Sequence, residues 1–234
     1  MTAIVLAYHA IEAGLPPLSI EPDLFRDHLA TIEDAGVRVV GLGDIANASD
    51  EPRVAITFDD GFASVVENAA PALVERGLPA TVFCVAGHLG GVNDWPREPP
   101  PQRRLASAAE LAACGTEIGS HGMTHLPLDQ ASEADLRREV VDSRSALEEA
   151  LGVAVEWFAY PGGSVAGREL VERTYAGACA VGNRALSPGF DRFELPRVEM
   201  HYLRRPSLLR RVLGGGRAYL ALRRTGRRLR PGSG

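Results

Sequence analysis

Short apolar runs rich in β-branched residues alternate along this chain with longer stretches of helical periodicity, and this alternation strongly constrains the fold. The apolar runs predict strands at residues 3–7, 37–40, 54–58, 79–85, 117–120, 153–158, 179–181 and 193–198. Helices are predicted over residues 21–36, 62–76, 107–114, 132–151 and 168–176. Alternating strands and helices form parallel sheets with right-handed crossovers, and active sites of such barrels lie at the carboxyl ends of the strands. The sequence therefore predicts an α/β fold in which the functional residues come directly after the strands.

One predicted strand ends in two adjacent carboxylates. The run Val54–Phe58 is followed by Asp59, Asp60 and Gly61, so the strand delivers both acids to a sharp turn. Two neighbouring acids at a buried strand end are costly unless a cation lies between them, and a bound metal would supply that charge. Taken alone, the same residues also fit an ordinary Asp-Gly turn that caps a helix.

A second predicted strand, further along the chain, ends in two histidines. It leads into His121 and His125, whose i, i+4 spacing allows both imidazoles to reach one metal ion. By itself this spacing is a weak indication. Together with an aspartate from the acidic strand end, however, the histidines form a three-ligand set that leaves one position open for water, as in catalytic zinc sites. The two strand ends together favour a metal site.

These strand ends carry motifs that resemble a known family. The Thr57–Gly61 motif, followed by the Ser120–His125 motif, resembles the polysaccharide deacetylases of the NodB-homology type, carbohydrate esterase family four. Phe158–Gly163 resembles the proline-glycine loop of the same family. The resemblance covers residues 1–203 as a catalytic domain and leaves 204–234 as an arginine-rich tail. It implies a distorted (β/α)7 TIM-like barrel, a strand number that the pattern of elements alone does not fix.

The resemblance implies a metal-dependent hydrolase that removes N-acetyl groups from a carbohydrate, cleaving the amide C–N bond and releasing acetate. The implied metal ligands are Asp60, His121 and His125. Zinc is the implied metal, with cobalt and nickel as alternatives. Asp59 would be the general base, with a metal-bound water as the nucleophile. A backbone N–H for the developing oxyanion, that of Gly162 in particular, would come from the loop of Tyr160, Pro161 and Gly162. An ordinary connecting loop is the alternative for these three residues.

The general acid departs from the usual family pattern, which has a Leu-x-His after the last strand. His201 follows the last predicted strand but fits that pattern poorly. Tyr8-His9 instead ends the first predicted strand, as in the circularly permuted branch of the family, which includes poly-N-acetylglucosamine deacetylases. The resemblance therefore implies His9 as the acid. The alternative is a core histidine bonded to a backbone carbonyl.

The residue that orients the base also departs from the pattern. Many family members carry an arginine just before the proline-glycine loop, where this chain has Ala159. Arg197, at the end of the last predicted strand, could reach Asp59 from another element. The alternative is a surface arginine, in which case the base would lack its orienting partner and weak activity would follow.

Composition limits the remaining choices. Of the 234 residues 45% are apolar and 24% charged, which is typical of a globular enzyme. No apolar run reaches the length of about 18 residues that a membrane span needs. The N-terminus lacks the basic region and long apolar run of a signal peptide, so we expect a cytoplasmic protein. The cysteines at 84, 114 and 179 are expected to be core residues rather than disulfide partners.

Charge is distributed unevenly. Residues 204–234 contain ten arginines and no acid, for a net charge of +10, against −15 on residues 1–203. Apolar residues lie among the arginines of 204–224 at roughly helical intervals, which favours contact with an anionic membrane surface or a protein partner. A solvated, disordered end is the alternative. Nucleic acid is not expected, since no aromatic pattern accompanies the charge.

The sequence thus predicts a cytoplasmic carbohydrate N-deacetylase that acts on an acetylated sugar or glycan precursor. Two alternatives stay open. The first is an amidase or imidase on the same fold that acts on a non-sugar substrate. The second is a metal-binding or membrane-docked scaffold with little catalysis, which the two departures from the family pattern would support.

Overall fold

The computed structural model describes residues 3–14, 16–45, 47, 51–95, 101–216 and 219–221. Its strands are β1 Ala3–Tyr8, β2 Ala10–Ile11, β3 Ser19–Ile20, β4 Arg38–Val39, β5 Arg53–Phe58, β6 Thr81–Cys84, β7 Glu117–Ser120, β8 Trp157–Ala159, β9 Gly177–Val181 and β10 Leu195–Glu199. Seven of them form a parallel barrel in the order β1-β10-β9-β8-β7-β6-β5, which the pairing of β5 with β1 closes. The barrel implied by the family resemblance is confirmed.

Helices surround this barrel. They are α1 Pro22–Asp34, α2 Leu42–Ile45, α3 Ala70–Arg76, α4 Ala108–Ala113, α5 Glu133–Arg137, α6 Ser143–Leu151, α7 Arg168–Thr174 and α8 Pro206–Leu213. Side chains of Ser107 and Ser132 cap α4 and α5 in reciprocal capping boxes. Gly77 and Gly152 end α3 and α6 in the left-handed conformation, which costs glycine no steric strain. Local sequence thus fixes where these helices begin and end.

The pleat of the strands divides the core into two layers. On β5, Val54, Ile56 and Phe58 point outward into a large cluster with the helices. Ala55, by contrast, packs inside the barrel, where it joins Phe83 and Trp157. Side chains alternate along a strand, so every second residue faces the inside of the barrel. At the carboxyl ends of the strands, these inward-facing positions carry the candidate site residues.

Two predicted helices contain a local irregularity. Each has one π-helical turn, Val65–Ala69 ahead of α3 and Arg138–Asp142 between α5 and α6. The sequence did not predict β2, β3 or α2, because elements of two to four residues carry too little periodicity. The strand predicted from residue 153 begins only at Trp157, and Val153 lies 45% exposed outside the sheet.

The start of the arginine-rich segment belongs to the packed fold. Leu209, Val212 and Leu213 of α8 are buried in the core cluster that also contains residues of α1. Arg204 donates hydrogen bonds to the backbone oxygen of Ser19 and to Glu21. Leu220 is also buried, and Leu208 packs partly buried against the same cluster. The apolar residues considered for membrane contact therefore pack on the core where the structure describes them. Residues 222–234 lie outside the described part, and a division of the chain at residue 203 stays a prediction.

Other predictions concern buried groups. All three cysteines are buried and free, as expected of core residues. His28 is fully buried, with Nδ1 3.2 Å from the Tyr8 hydroxyl and Nε2 2.9 Å from the Arg204 carbonyl oxygen, as fits a structural histidine. Among the helices of the described ranges, none combines the length and apolar character needed to cross a membrane.

Candidate active site

Three adjacent strands bring four titratable or charged side chains together at the carboxyl end of the barrel. β1 lies between β5 and β10, with Val5 in register with Arg197 and with Ala55. The four side chains are those of His9, Asp59, Arg197 and Glu199. Arg197 and Glu199 are two positions apart on β10, so the strand pleat directs both to the same side.

Arg197 binds both carboxylate oxygens of Asp59. Nη1 lies 2.5 Å from Oδ1 and Nη2 lies 2.7 Å from Oδ2. Both residues are buried. Burial would raise the pKa of Asp59, but the charge and hydrogen bonds of Arg197 outweigh it and hold that pKa far below its ordinary value. Asp59 is therefore an ionised carboxylate of fixed orientation, with its arginine supplied by β10 rather than from the position of Ala159.

His9 lies between two carboxylates. Its Nε2 is 3.9 Å from Oδ2 of Asp59, and its Nδ1 is 3.9 Å from Oε2 of Glu199. Burial would lower the pKa of His9, but the carboxylates of Glu199, Asp60 and Asp59 together raise it above its ordinary value. An imidazole in this place favours its protonated form, which is what a general acid requires.

Asp60, His121 and His125 form a group that could hold a metal ion. Oδ1 of Asp60 lies 3.6 Å from Nε2 of His121 and 3.4 Å from Nε2 of His125. One potential ligand atom from each residue lies within 4.8 Å of the others. Ligands about 2 Å from a tetrahedral zinc ion lie about 3.3 Å from one another, so the observed spacing fits such an ion.

The surroundings prepare both histidines as ligands. Nδ1 of His121 lies 2.8 Å from the carbonyl oxygen of Ala159, and donation of its proton there leaves Nε2 with a lone pair toward Asp60. Burial, reinforced by the nearby His121, lowers the pKa of His125 to about 3, so its imidazole stays neutral. Trp95 stacks on the His125 ring with centroids 4.5 Å apart. The donor set thus offers one carboxylate oxygen and two imidazole nitrogens.

Unusual backbone conformations concentrate at this group. Three non-glycine residues among those described have a left-handed φ, and two of them are Asp60 at 71° and His125 at 62°. Gly61 follows with φ of 74°, and a Cβ there would lie 3.2 Å from the sulfur of Cys84. Such conformations persist only where the surrounding structure enforces them, and they often mark functional sites.

The proline-glycine loop follows β8 at the same rim. Gly162 has φ of 66°, a conformation suited to glycine. The N–H of Tyr160 donates to Cys179, and that of Gly163 donates to the carbonyl oxygen of Tyr160. Pro161 has no N–H, which leaves Gly162 as the donor in this loop for a ligand. The Tyr160 ring belongs to the outer core cluster against Phe158, so its side chain does not line the site.

Two further histidines take different places. His201 packs against Tyr202 in the turn Met200–Leu203, after β10. His88 pairs with Asp94 at 3.2 Å and packs edge-on against Trp95. It therefore supports the ring that stacks on His125.

Sequence reasoning missed Glu199 and Trp95 as site residues. Glu199 could have been found, because it lies two residues after Arg197 and directly follows the predicted strand 193–198, and a strand that continues by one residue gives both the same face. Trp95 lies in a proline-rich stretch without periodicity, and no local signal places it on His125.

With this geometry described, comparison with known proteins identifies the family. Residues 46–179, more than half of the chain, match the family model described as polysaccharide deacetylase. The match contains Asp59, the three potential metal ligands and the proline-glycine loop, whereas His9 and Arg197 lie outside it.

Curated relatives cover a similar share of the chain. YxkH of Bacillus subtilis (strain 168) is 26% identical over 165 residues, 68% of this chain and 56% of that protein. A poly-beta-1,6-N-acetyl-D-glucosamine N-deacetylase of Staphylococcus aureus (strain MRSA252) is 27% identical over 152 residues, 61% of this chain and 52% of that enzyme. The chain therefore spans about half the length of the curated relatives it matches.

Solved structures share the fold. The structure of IcaB from Ammonifex degensii superposes with a TM-score of 0.74 at 24% identity, covering 91% of this chain and 96% of that one. A de-N-acetylase from Aggregatibacter actinomycetemcomitans superposes at 0.68 with 18% identity, covering 85% and 95%. Since the family model spans the acidic strand end, the histidine pair and the proline-glycine loop, this chain belongs to the polysaccharide deacetylase family.

Proposed function

We propose that this chain is a metal-dependent hydrolase that removes N-acetyl groups from a carbohydrate and releases acetate. One observation carries the proposal: the carboxylate of Asp59, clamped by Arg197, adjoins a His/His/Asp group that suits a divalent cation. Asp59 and Asp60 are consecutive, so a proton acceptor and a cation site occupy the same end of the barrel. Amide hydrolysis requires both.

Asp60, His121 and His125 would hold the ion, and one carboxylate with two imidazoles is a ligand set that suits zinc. When bound, a divalent ion supplies Lewis acidity to water and to the amide carbonyl. Imidazole and carboxylate ligands also accept cobalt or nickel, so these ions are the alternatives to test.

The side chains of Asp59 and His9 supply the proton transfers. Asp59 accepts the proton of the attacking water, because Arg197 keeps the carboxylate ionised and oriented. His9 donates a proton to the leaving amine, since the neighbouring carboxylates favour its protonated form. The 3.9 Å between His9 and Asp59 is too long for a hydrogen bond, so the proton of His9 is not committed to Asp59.

The developing oxyanion would receive the N–H of Gly162. Of the backbone groups in the proline-glycine loop, those of Tyr160 and Gly163 already donate within the protein. A donor aimed at the site where charge develops stabilises the transition state more than the ground state. Tyr160 and Pro161 shape this loop rather than contributing side-chain chemistry.

The named activity of the Staphylococcus aureus relatives supports an N-acetylglucosamine polymer as the substrate class for this chain as well. The scaffold alternative loses one of its two supports, because Arg197 does reach Asp59. A catalytically competent site is therefore the better proposal.

The test is acetate release from β-1,6-linked and β-1,4-linked N-acetylglucosamine oligomers by zinc-loaded protein. Asp59→Asn and His9→Ala should each lower kcat by about 10²- to 10⁴-fold, the usual contribution of a positioned base or acid. His201→Ala is the matched control for His9→Ala and should leave kcat unchanged, because its ring packs against Tyr202 in the turn after β10.

Acetate release that survives in His9→Ala but is lost in His201→Ala would reverse the assignment of the acid. Stoichiometric zinc without acetate release from any sugar would contradict the substrate proposal. Simple non-sugar amides and imides, assayed in parallel, would then identify the amidase alternative.

A further inference from the structure

The loop between His121 and His125 is wrapped around a single buried carboxylate, that of Glu139. Oε2 of Glu139 accepts hydrogen bonds from the N–H groups of Met123 at 2.8 Å and Thr124 at 3.0 Å. Oε1 accepts from the Thr124 hydroxyl at 2.5 Å and again from its N–H at 3.1 Å. Every one of these contacts places the hydrogen on the loop, so both carboxylate oxygens act only as acceptors.

The fit between loop and carboxylate is close. Glu139 is only 1% exposed and lies on the buried face of its helical turn. Gly122 has φ of 85°, and a Cβ there would lie 2.5 Å from Oε2 of Glu139. The absence of a side chain at residue 122 therefore allows the backbone to approach the carboxylate.

Glu139 is itself anchored to the strand that carries His121. It lies in the π-helical turn Arg138–Asp142. Its carbonyl oxygen accepts a hydrogen bond from the Ser143 hydroxyl at 2.6 Å, and that hydroxyl lies 2.9 Å from the Ser120 hydroxyl at the end of β7. The carboxylate of Glu139 thus holds residues 123 and 124 of the loop, and its carbonyl oxygen links the same helical turn through Ser143 to the end of β7.

This arrangement bears on the relative placement of the two histidines. Glu139 holds the two residues directly before His125, whose left-handed φ of 62° needs support from its surroundings. None of the contacts described for Glu139 reaches an imidazole ring. Its influence on the site therefore passes through the backbone of residues 122–124.

We propose that Glu139 is a positioning residue for divalent-cation binding, which fixes the loop so that His121 and His125 face one ion together with Asp60. The inference rests on the metal site of the proposed function. A carboxylate that only supported the fold would affect stability, whereas a positioning residue affects cation affinity in protein that remains folded.

Glu139→Gln separates these roles because it keeps the volume of the side chain. Its amide has one acceptor oxygen, so an NH₂ group must face either the N–H groups of the loop or the Thr124 hydroxyl. Asp142→Asn is the matched control, since it removes a carboxylate from the same π-helical turn at an exposed position without contact to the loop among the described contacts. Thr124→Val removes one donor and keeps both N–H groups.

The experiment uses the full chain and measures zinc affinity by competition with a chromophoric chelator, the visible spectrum of the cobalt-loaded protein and the Tm of the metal-free protein. Glu139→Gln should weaken zinc binding about 10- to 100-fold, the usual effect of losing a group that orients metal ligands. It should also alter the cobalt spectrum. Thr124→Val should weaken binding less, and Asp142→Asn should match the wild type.

Zinc affinity and a cobalt spectrum unchanged in Glu139→Gln would overturn the inference, whatever happens to Tm. If that variant does not fold, Gly122→Ala provides the second test, because its Cβ displaces the carboxylate without removing it. Wild-type affinity in Gly122→Ala would equally overturn the inference. Failure of the wild-type protein to bind zinc or cobalt would instead overturn the proposed metal site itself.

Discussion

The two sides of the candidate site are built by different means. The cation side, with Asp60, His121 and His125, stands on the loops that follow β5 and β7, where Asp60 and His125 have left-handed backbone conformations. The base side, with His9, Asp59, Arg197 and Glu199, stands at or next to the ends of regular strands drawn from both ends of the chain. The first depends on local backbone geometry and the second on closure of the barrel, so the two sides should respond differently to substitution.

The largest difference is expected in folding stability. Arg197→Met leaves the buried carboxylate of Asp59 without its partner, which typically costs about 3–5 kcal/mol in the free energy of unfolding. His125→Ala loses a ring contact with Trp95, worth about 0.5–1.5 kcal/mol. Chemical denaturation of both metal-free variants measures the difference, and zinc titration should give the reverse order, with affinity lost only in His125→Ala.

The pH dependence checks the cause of that difference. The pKa of Asp59 is depressed in the folded protein, so its contribution to stability is present above its unfolded pKa and is lost as pH falls through the folded pKa. The gap between wild type and Arg197→Met should therefore narrow in acid. A gap that stays constant down to acid pH would show that Arg197 acts by packing alone.

A smaller effect is expected where an aromatic ring supports the cation side. Trp95→Ala removes the stack on His125, and a loss of about 0.5–1.5 kcal/mol corresponds to zinc binding weakened by roughly 2- to 13-fold. Trp95→Phe keeps an aromatic face and should lie between this variant and the wild type. Equal zinc affinity in all three proteins would mean that the ring contact does not position the ligand.

The smallest expected effect is a displacement of the pH profile on the base side. Glu199 is the carboxylate that contributes most to raising the pKa of His9 against the effect of burial. Glu199→Gln should lower that pKa, so the acid form of His9 disappears at lower pH and the alkaline limb of kcat moves down. The acidic limb, which the proposed base Asp59 would set, should stay in place. An alkaline limb that does not move would show that Glu199 does not raise the pKa of the proposed acid, His9.

The regular parts of this design are readable from sequence. Apolar runs that end in Asp59 and His121 predict strand ends, and parallel strands bring their carboxyl ends to one rim. Once the strands are placed, the alternation of side chains also directs His9 and Arg197 toward the inside of the barrel. The contact between Arg197 and Asp59 could therefore be anticipated.

The irregular parts were not readable in the same way. Glu139 lies beneath the histidine loop because a π-helical turn carries it there, and no pattern in the sequence marked that turn. Trp95 reaches His125 through a loop without periodicity. α8 was considered as a membrane-binding segment because its spacing of apolar residues also fits a helix that packs on α1. Periodicity shows that a face is apolar but does not identify what covers it.

The position of β1 between β5 and β10 also governs how the molecule is made. Val5 and Arg197 are neighbours in space but belong to the first and last strands of the barrel, so a ribosome must deliver nearly the whole chain before they can meet. Pairings of such long sequence separation are slow to form, and until then β1 presents an open edge to other chains. A nascent chain stalled before residue 197 would hold every proposed metal ligand yet lack the arginine that orients its base.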